Sequence, residues 1–256
     1  VRMNDFLKLE EGQTHLGAFL SEIAAPNLLR IYKTCGLDYV IIDCEHGYFS
    51  HAQVAALAAV ANGIGLMAMV RVPCVSREHI QKVFDLGADA ILVPMTSTPE
   101  QIREAVAYSK YFPAGKRGAS TMRPHSEYNP GHLMDYMLKA NERTMIFAQI
   151  ETDEGVRNAE QIAAVEGVRG LMIGPNDLSI DYGTPGASDT PEMEKAYRTV
   201  IAAAKAYGKP SGIITGNMKL IKHCKSLGMQ LFSCNSEVGL LAKQIKTMVS
   251  DFNIEV

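Results

Sequence analysis

The sequence predicts an α/β fold, a (β/α)8 TIM barrel, on three observations. Short apolar, β-rich runs alternate with stretches of helical periodicity from one end of the chain to the other, as βα units building a parallel sheet do. Eight such pairs fit within 256 residues, which is the inventory of that barrel. The central runs YVII, GLMAMV, AILVP and GLMI are apolar almost throughout, as expected of strands buried on both faces. An open doubly wound sheet is the alternative. No Gly-x-Gly-x-x-Gly follows the first strand, however, and Gly63-Ile64-Gly65 precedes a strand instead of a helix.

The first strand is expected at His15 to Leu20 and its helix at Pro26 to Cys35. Asp38 to Asp43 leads into Ser50 to Ala61, Gly65 to Val72 into Ser76 to Leu86, and Asp89 to Pro94 into Pro99 to Tyr111. In the second half Thr144 to Glu151 precedes Gly155 to Val165, and Val168 to Ile173 precedes Pro191 to Tyr207. Pro210 to Ile214 leads into Met218 to Leu227, and Met229 to Ser233 into a last helix from Val238 to Asp251. No linker, low-complexity tract or repeat divides the chain, so residues 1–256 read as one domain. Two long excursions interrupt it, Phe112 to Arg143 and Gly174 to Thr190, and long loops in compact barrels usually carry function.

Composition narrows the function classes. With 47% hydrophobic and 21% charged residues the chain is an ordinary globular one, which excludes disorder, collagen and coiled coil. Its 25 basic against 28 acidic residues give a net charge of −3, so it lacks the basic field that nucleic acid or an anionic membrane requires. Neither is an expected partner. The longest uncharged run, Val54 to Val70, contains Asn62, Gly63 and Gly65 and reads as helix, turn and strand rather than a membrane span. The N-terminal VRMNDFLKLEEG shows no apolar signal core, and five cysteines without a Cys-x-x-Cys pair fit reduced thiols, so a cytoplasmic location is expected.

Barrel chemistry sits at the C-terminal ends of strands, and four apolar runs end there in reactive residues. YVII runs into Asp43-Cys44-Glu45-His46, GLMAMV into Arg71, MIFAQI into Glu151, and GLMIG into Pro175-Asn176-Asp177. Glu151 and Asp177 end neighbouring strands, where two carboxylates without a cation repel each other. A hard divalent ion such as Mg²⁺ or Mn²⁺ resolves that repulsion and keeps open positions for chelating an α-keto acid; helix capping or pairing with arginine is the structural alternative. His46, three residues beyond Asp43, fits a base oriented by a carboxylate, or a loop histidine satisfied by backbone. Arg71 must find an anion, either Asp43 or Glu45 or an oxyanion of a substrate. The turn at Gly174 to Ser179 opens a short helix whose free N–H groups attract a carboxylate. No predicted strand contains a lysine, and Lys209 lies at the non-catalytic end of its strand, which disfavours Schiff-base chemistry. The absence of a Walker A sequence and of a glycine-rich cradle after the last two strands argues against sugar-phosphate chemistry.

These residues coincide with a known pattern. GLDYVIIDCEHG, MVRVP, DLGADAILVPM, the PAGKRG turn, FAQIET and GPNDLS cover nearly the whole chain, and in this order and spacing the sequence resembles the HpcH/HpaI aldolases of the phosphoenolpyruvate/pyruvate barrel superfamily. The resemblance implies a metal-dependent class II aldolase that cleaves a 4-hydroxy-2-oxo acid to pyruvate and an aldehyde. It implies Glu151 and Asp177 as ligands of Mg²⁺, Mn²⁺ or Co²⁺, Arg71 and Gln149 as pyruvate contacts, and His46 with Asp43 as the acid/base dyad. Backbone amides at Asn176 and Asp177 would receive the pyruvate carboxylate. A homohexamer with the C-terminal helix exchanged between barrels is also implied. A related lyase acting on a CoA thioester would need a longer, more basic pocket, and a non-catalytic keto-acid-binding protein would not need the full set of reactive positions. The least family-like stretch, Ser120 to His132, is expected to border the aldehyde side, with Arg123 or His125 as contacts to a distal carboxylate or hydroxyl, or else as a solvated loop.

Overall fold

The computed structural model of the protein describes residues 13–253. Eight parallel strands hydrogen-bond in chain order and the last closes on the first: β1 (His15–Leu20), β2 (Tyr39–Asp43), β3 (Met67–Arg71), β4 (Ala90–Val93), β5 (Met145–Ile150), β6 (Val168–Ile173), β7 (Ser211–Ile214) and β8 (Leu231–Ser236). The helices are α1 (Pro26–Thr34), α2 (His51–Gly63), α3 (Arg77–Asp85), α4 (Pro99–Ser109), α5 (Leu133–Arg143), α6 (Asp153–Arg157), α7 (Ala159–Ala164), α8 (Pro175–Asp181), α9 (Pro191–Ala206), α10 (Met218–Ser226) and α11 (Glu237–Phe252). The fold is the expected TIM barrel. The N-terminal VRMNDFLKLEEG lies outside the described residues.

Side chains alternate across each strand, and this alternation separates two apolar layers. Tyr39, Ile41, Met67, Met69, Leu92, Phe147 and Met172 fill the barrel interior, whereas Val40, Ile42, Ala68, Val70, Ile146 and Ala148 face the helices. Gly17 is required by the interior: a β-carbon there would lie 2.4 Å from the Tyr39 ring. The two-residue period carries the inward register onward from Tyr39 and Ile41 to Asp43, from Met67 and Met69 to Arg71, and from Phe147 to Gln149 and Glu151. Apolar packing therefore aims the polar strand ends at one mouth. Helix starts are fixed locally, by reciprocal Ser50–Gln53 and Thr98–Gln101 capping at α2 and α4 and by proline in the first turn of α1, α4, α8 and α9.

Three features differ from the sequence expectation. The helix expected at Gly155 to Val165 starts earlier, on the Thr152 cap, and breaks at Asn158, whose side-chain amide donates to the Ser97 carbonyl at 2.8 Å. The excursion Phe112 to Arg143 contains α5, an amphipathic helix that buries only Asn141. The same excursion follows a helix and precedes a strand, so it returns to the N-terminal end of the barrel. His125 there bonds the Tyr136 hydroxyl and the Ser120 carbonyl, beside the Arg117–Asp85 ion pair of 2.6 Å. Within this chain the expectation that Ser120 to His132 borders the catalytic mouth is thus corrected, because an αβ connection cannot lie at the C-terminal face of the strands.

Candidate active site

Asp43 and Arg71 are register partners on β2 and β3, and the pairing lays one side chain on the other. Arg71 Nε donates to Asp43 Oδ1 at 2.9 Å and Nη2 to Oδ2 at 2.7 Å, a bidentate fork, while Nη1 lies 3.1 Å from Glu45 Oε2. The guanidinium also stacks 4.8 Å over the Phe19 ring. Burial works against its charge, but the Asp43 hydrogen bonds and the charges of Asp43, Glu45 and Glu151 prevail and hold its pKa above the ordinary value. Two of its five N–H groups are thereby bonded to Asp43 and Nη1 faces Glu45 as an ion pair, which leaves two N–H groups for a substrate oxygen.

Asp43 Oδ1 also accepts the backbone N–H groups of Glu45 at 3.1 Å and His46 at 3.3 Å. Asp43 therefore shapes the loop that carries His46 without touching its ring. The ring is 72% exposed, with Nε2 3.8 Å from Glu45 Oε2. The carboxylate nearest the imidazole is thus Glu45, because Asp43 is taken up by Arg71. Burial, with Asp43 and Asp177, raises the Glu45 pKa against the pull of Arg71 and His46.

Glu151 is 2% exposed and follows β5. Its Oε1 accepts the Met95 N–H at 2.8 Å and its Oε2 the Gln149 side-chain amide at 2.7 Å. Met95 adopts a left-handed backbone, φ 49°, to present that N–H. Gly174 makes room on the other side, since a β-carbon there would meet Glu151 Oε2 at 2.3 Å. Burial pushes the Glu151 pKa up to about 8; the Met95 hydrogen bond and Arg71 oppose this, and the charges of Asp177 and Glu45 reinforce it. Asp177 and Asn176 are exposed in the first turn of α8, where Pro175 sits at the N-terminus and the leading amides have no intrahelical acceptor.

The structure thus brings Asp43, Arg71, Gln149, Glu151 and Asp177 to one mouth, with His46 at its rim. Sequence reasoning missed the parts played by Met95 and Gly174, one acting through its main chain and the other through a missing side chain. Among the described residues no group of three or more His, Cys, Asp or Glu side chains forms a ready metal cage. The donor set nevertheless fits a hard cation. Glu151 is an acid destabilised as a carboxylate chiefly by burial and further by Asp177, and the buried Gln149 Oε1 has no hydrogen-bond partner. A cavity of about 690 Å³, lined among others by Asp89, Arg117, His125 and Arg143, lies at the opposite end of the barrel and takes no part in this site.

The HpcH/HpaI aldolase/citrate lyase family matches residues 16–243, and the chain belongs to that family. It is 39% identical over 84% of its length to 80% of the 4-hydroxy-2-oxovalerate aldolase of Novosphingobium aromaticivorans. It is 33% identical over 95% of its length to 87% of the hydroxypyruvate/pyruvate aldolase of Deinococcus radiodurans. The crystal structure of the HpcH/HpaI aldolase from Desulfitobacterium hafniense DCB-2 superposes with a TM-score of 0.89 at 30% identity, covering 95% of each chain. Together these relatives mark the protein as an enzyme of the aldolase type.

Proposed function

We propose that the protein is a class II aldolase that reversibly cleaves a 4-hydroxy-2-oxo acid to pyruvate and an aldehyde, with a divalent cation held by Glu151 and Asp177. The observation that carries this reading is the buried Glu151, pushed up to about 8 next to Asp177 and the unpartnered Gln149 Oε1. A cation bound there supplies electrophilic stabilisation of the negative charge that develops on the C2 oxygen. The two spare N–H groups of Arg71 donate to the same oxygen, and Asp43 holds the guanidinium in place for that task. Gln149 orients the keto acid, and the leading amides of α8 at Asn176 and Asp177 receive its carboxylate. In the cleavage direction the exposed His46 ring takes the C4 hydroxyl proton and the C3–C4 bond breaks. The aldehyde departs, the bonding pair stays with the three-carbon enolate, and protonation at C3 yields pyruvate. Asp43 serves this step by fixing the His46 backbone instead of contacting the ring.

The described strands contain no lysine, and Lys209 Nζ is committed to the Ala163 and Val165 carbonyls at 2.6 and 2.9 Å, which favours this route over a Schiff base. The reading extends to one domain and a homo-oligomer. Helix α11 buries only Glu237 and exposes Leu240, Leu241, Ile245, Met248, Val249 and Phe252, a stripe that a second copy would cover. Incubating pyruvate with a panel of short aldehydes and Mg²⁺, Mn²⁺ or Co²⁺, and resolving products by mass spectrometry, tests the reaction. Formation of 4-hydroxy-2-oxo acids supports it; no condensation with any aldehyde and cation overturns it.

A further inference from the structure

Glu237 is a buried acid that the proposed chemistry does not use. It follows β8 directly, begins α11 and is 4% exposed. Its side chain crosses to the connection between β1 and α1, where three successive backbone N–H groups donate to it. Ser21 N lies 2.9 Å from Oε1 and 3.0 Å from Oε2, Glu22 N 2.6 Å and Ile23 N 3.0 Å from Oε1, and Ser21 Oγ adds a contact of 3.5 Å to Oε2. Consecutive amides converging on one carboxylate form an anion nest, so the conformation of this loop depends on the acid inside it.

The folded loop is in turn the wall against which the His46 loop rests. A β-carbon on Gly47 would lie 2.8 Å from the Ser21 carbonyl oxygen and 2.2 Å from that of Asp43, so only glycine lets the two connections approach this closely. The Tyr48 hydroxyl donates to the Glu22 carbonyl at 3.4 Å from the same side. The contacts therefore run in a chain from Glu237 through the amides of residues 21–23 to residues 47 and 48, which flank the imidazole-bearing position.

We infer that Glu237 is a positioning residue that braces the His46 loop through the loop after β1. The inference rests on the aldolase reading for its kinetic consequence, but not for its structural one. Gln149 and Glu151 at the end of β5 and Asn176 and Asp177 in α8 lie outside this chain of contacts, and Arg71 meets it through Glu45 and Asp43, so the brace bears more on proton transfer at C4 than on the keto-acid end.

The test compares the full-length wild type with Glu237→Gln, which keeps the size but places an amide NH₂ among N–H donors. Two rates are measured in the presence of cation: cleavage of a 4-hydroxy-2-oxo acid and exchange of the pyruvate C3 protons with solvent. Amide hydrogen exchange is followed by mass spectrometry on the same samples. Cleavage should fall about 10- to 100-fold, the loss typical of a slightly misplaced reacting group, while pyruvate C3 exchange falls clearly less. Amide protection should drop together in residues 21–23 and 44–48. Unchanged protection of residues 44–48, or equal losses in the two rates, would overturn the brace. If Glu237→Gln does not fold, Glu237→Asp, which keeps the charge and loses the reach, carries the same comparison. A wild type without either activity would count against the aldolase reading, and the protection of residues 44–48 would still decide the brace.

Discussion

Replacing Glu151 by glutamine should stabilise the metal-free protein at alkaline pH while removing its capacity for a cation. In the fold the Glu151 carboxyl is raised from an ordinary 4.5 to about 8, chiefly by burial. Between those values the folded chain binds a proton that the unfolded chain has released, so stability is full below the lower value and is lost as pH rises through the upper one. A tenfold difference in proton affinity between folded and unfolded chain is worth ~1.4 kcal/mol, so the ceiling is ~5 kcal/mol, and relaxation around the charge leaves an expected loss of ~2 to 4 kcal/mol. Glutamine carries no titrating group there. Its oxygen still accepts the Met95 N–H, and its NH₂ donates to the now unpartnered Gln149 Oε1 once that amide turns over. Urea unfolding in the presence of chelator should show wild type and variant nearly equal at about pH 5 and the variant clearly more stable at about pH 9. Adding Mg²⁺ or Mn²⁺ should remove the difference by stabilising the wild type alone. A gap that does not widen with pH, or a variant less stable throughout, would refute the argument that this acid is strained as a carboxylate.

Three further outcomes follow from the same geometry. Arg71→Lys loses the fork to Asp43, and both cleavage and pyruvate proton exchange should fall about 100- to 1,000-fold in steady-state and NMR assays. Gly174→Ala drives a β-carbon into the space of Glu151 Oε2, and calorimetric titration should show cation affinity reduced about 10- to 100-fold. Leu241→Asp combined with Ile245→Asp places charge on the exposed stripe of α11, and light scattering should record smaller species than for the wild type.

The barrel was legible because its strands are buried on both faces and carry unbroken apolar runs, a signal that needs no tertiary context. Once the strands are placed, the two-residue period leads from Tyr39 and Met67 to Asp43 and Arg71. Their bidentate pairing, by contrast, depends on register between strands, which a single sequence does not display. The break at Asn158 was hidden because the apolar pattern continues through it, and only the Ser97 carbonyl, 61 residues away, fixes the kink. The loop from Ser120 to His132 was assigned to the wrong end of the barrel, although its place between a helix and a strand already required the N-terminal face. Glu45 was visible as a candidate anion for Arg71, but its approach to His46, like the Met95 N–H turned toward Glu151, was not, because these contributions depend on direction rather than residue type.

The central claim is that a cation held by Glu151 and Asp177 makes pyruvate enolisable at this mouth. Loss of the C3 proton signal of pyruvate in D₂O, followed by NMR, tests it most directly. Chelator-treated protein should show no exchange, added Mn²⁺ or Mg²⁺ should restore it, and the Glu151→Ala and Asp177→Ala variants should stay silent with either ion. Exchange that persists in chelator, accompanied by a lysine adduct trapped with borohydride, would contradict the account.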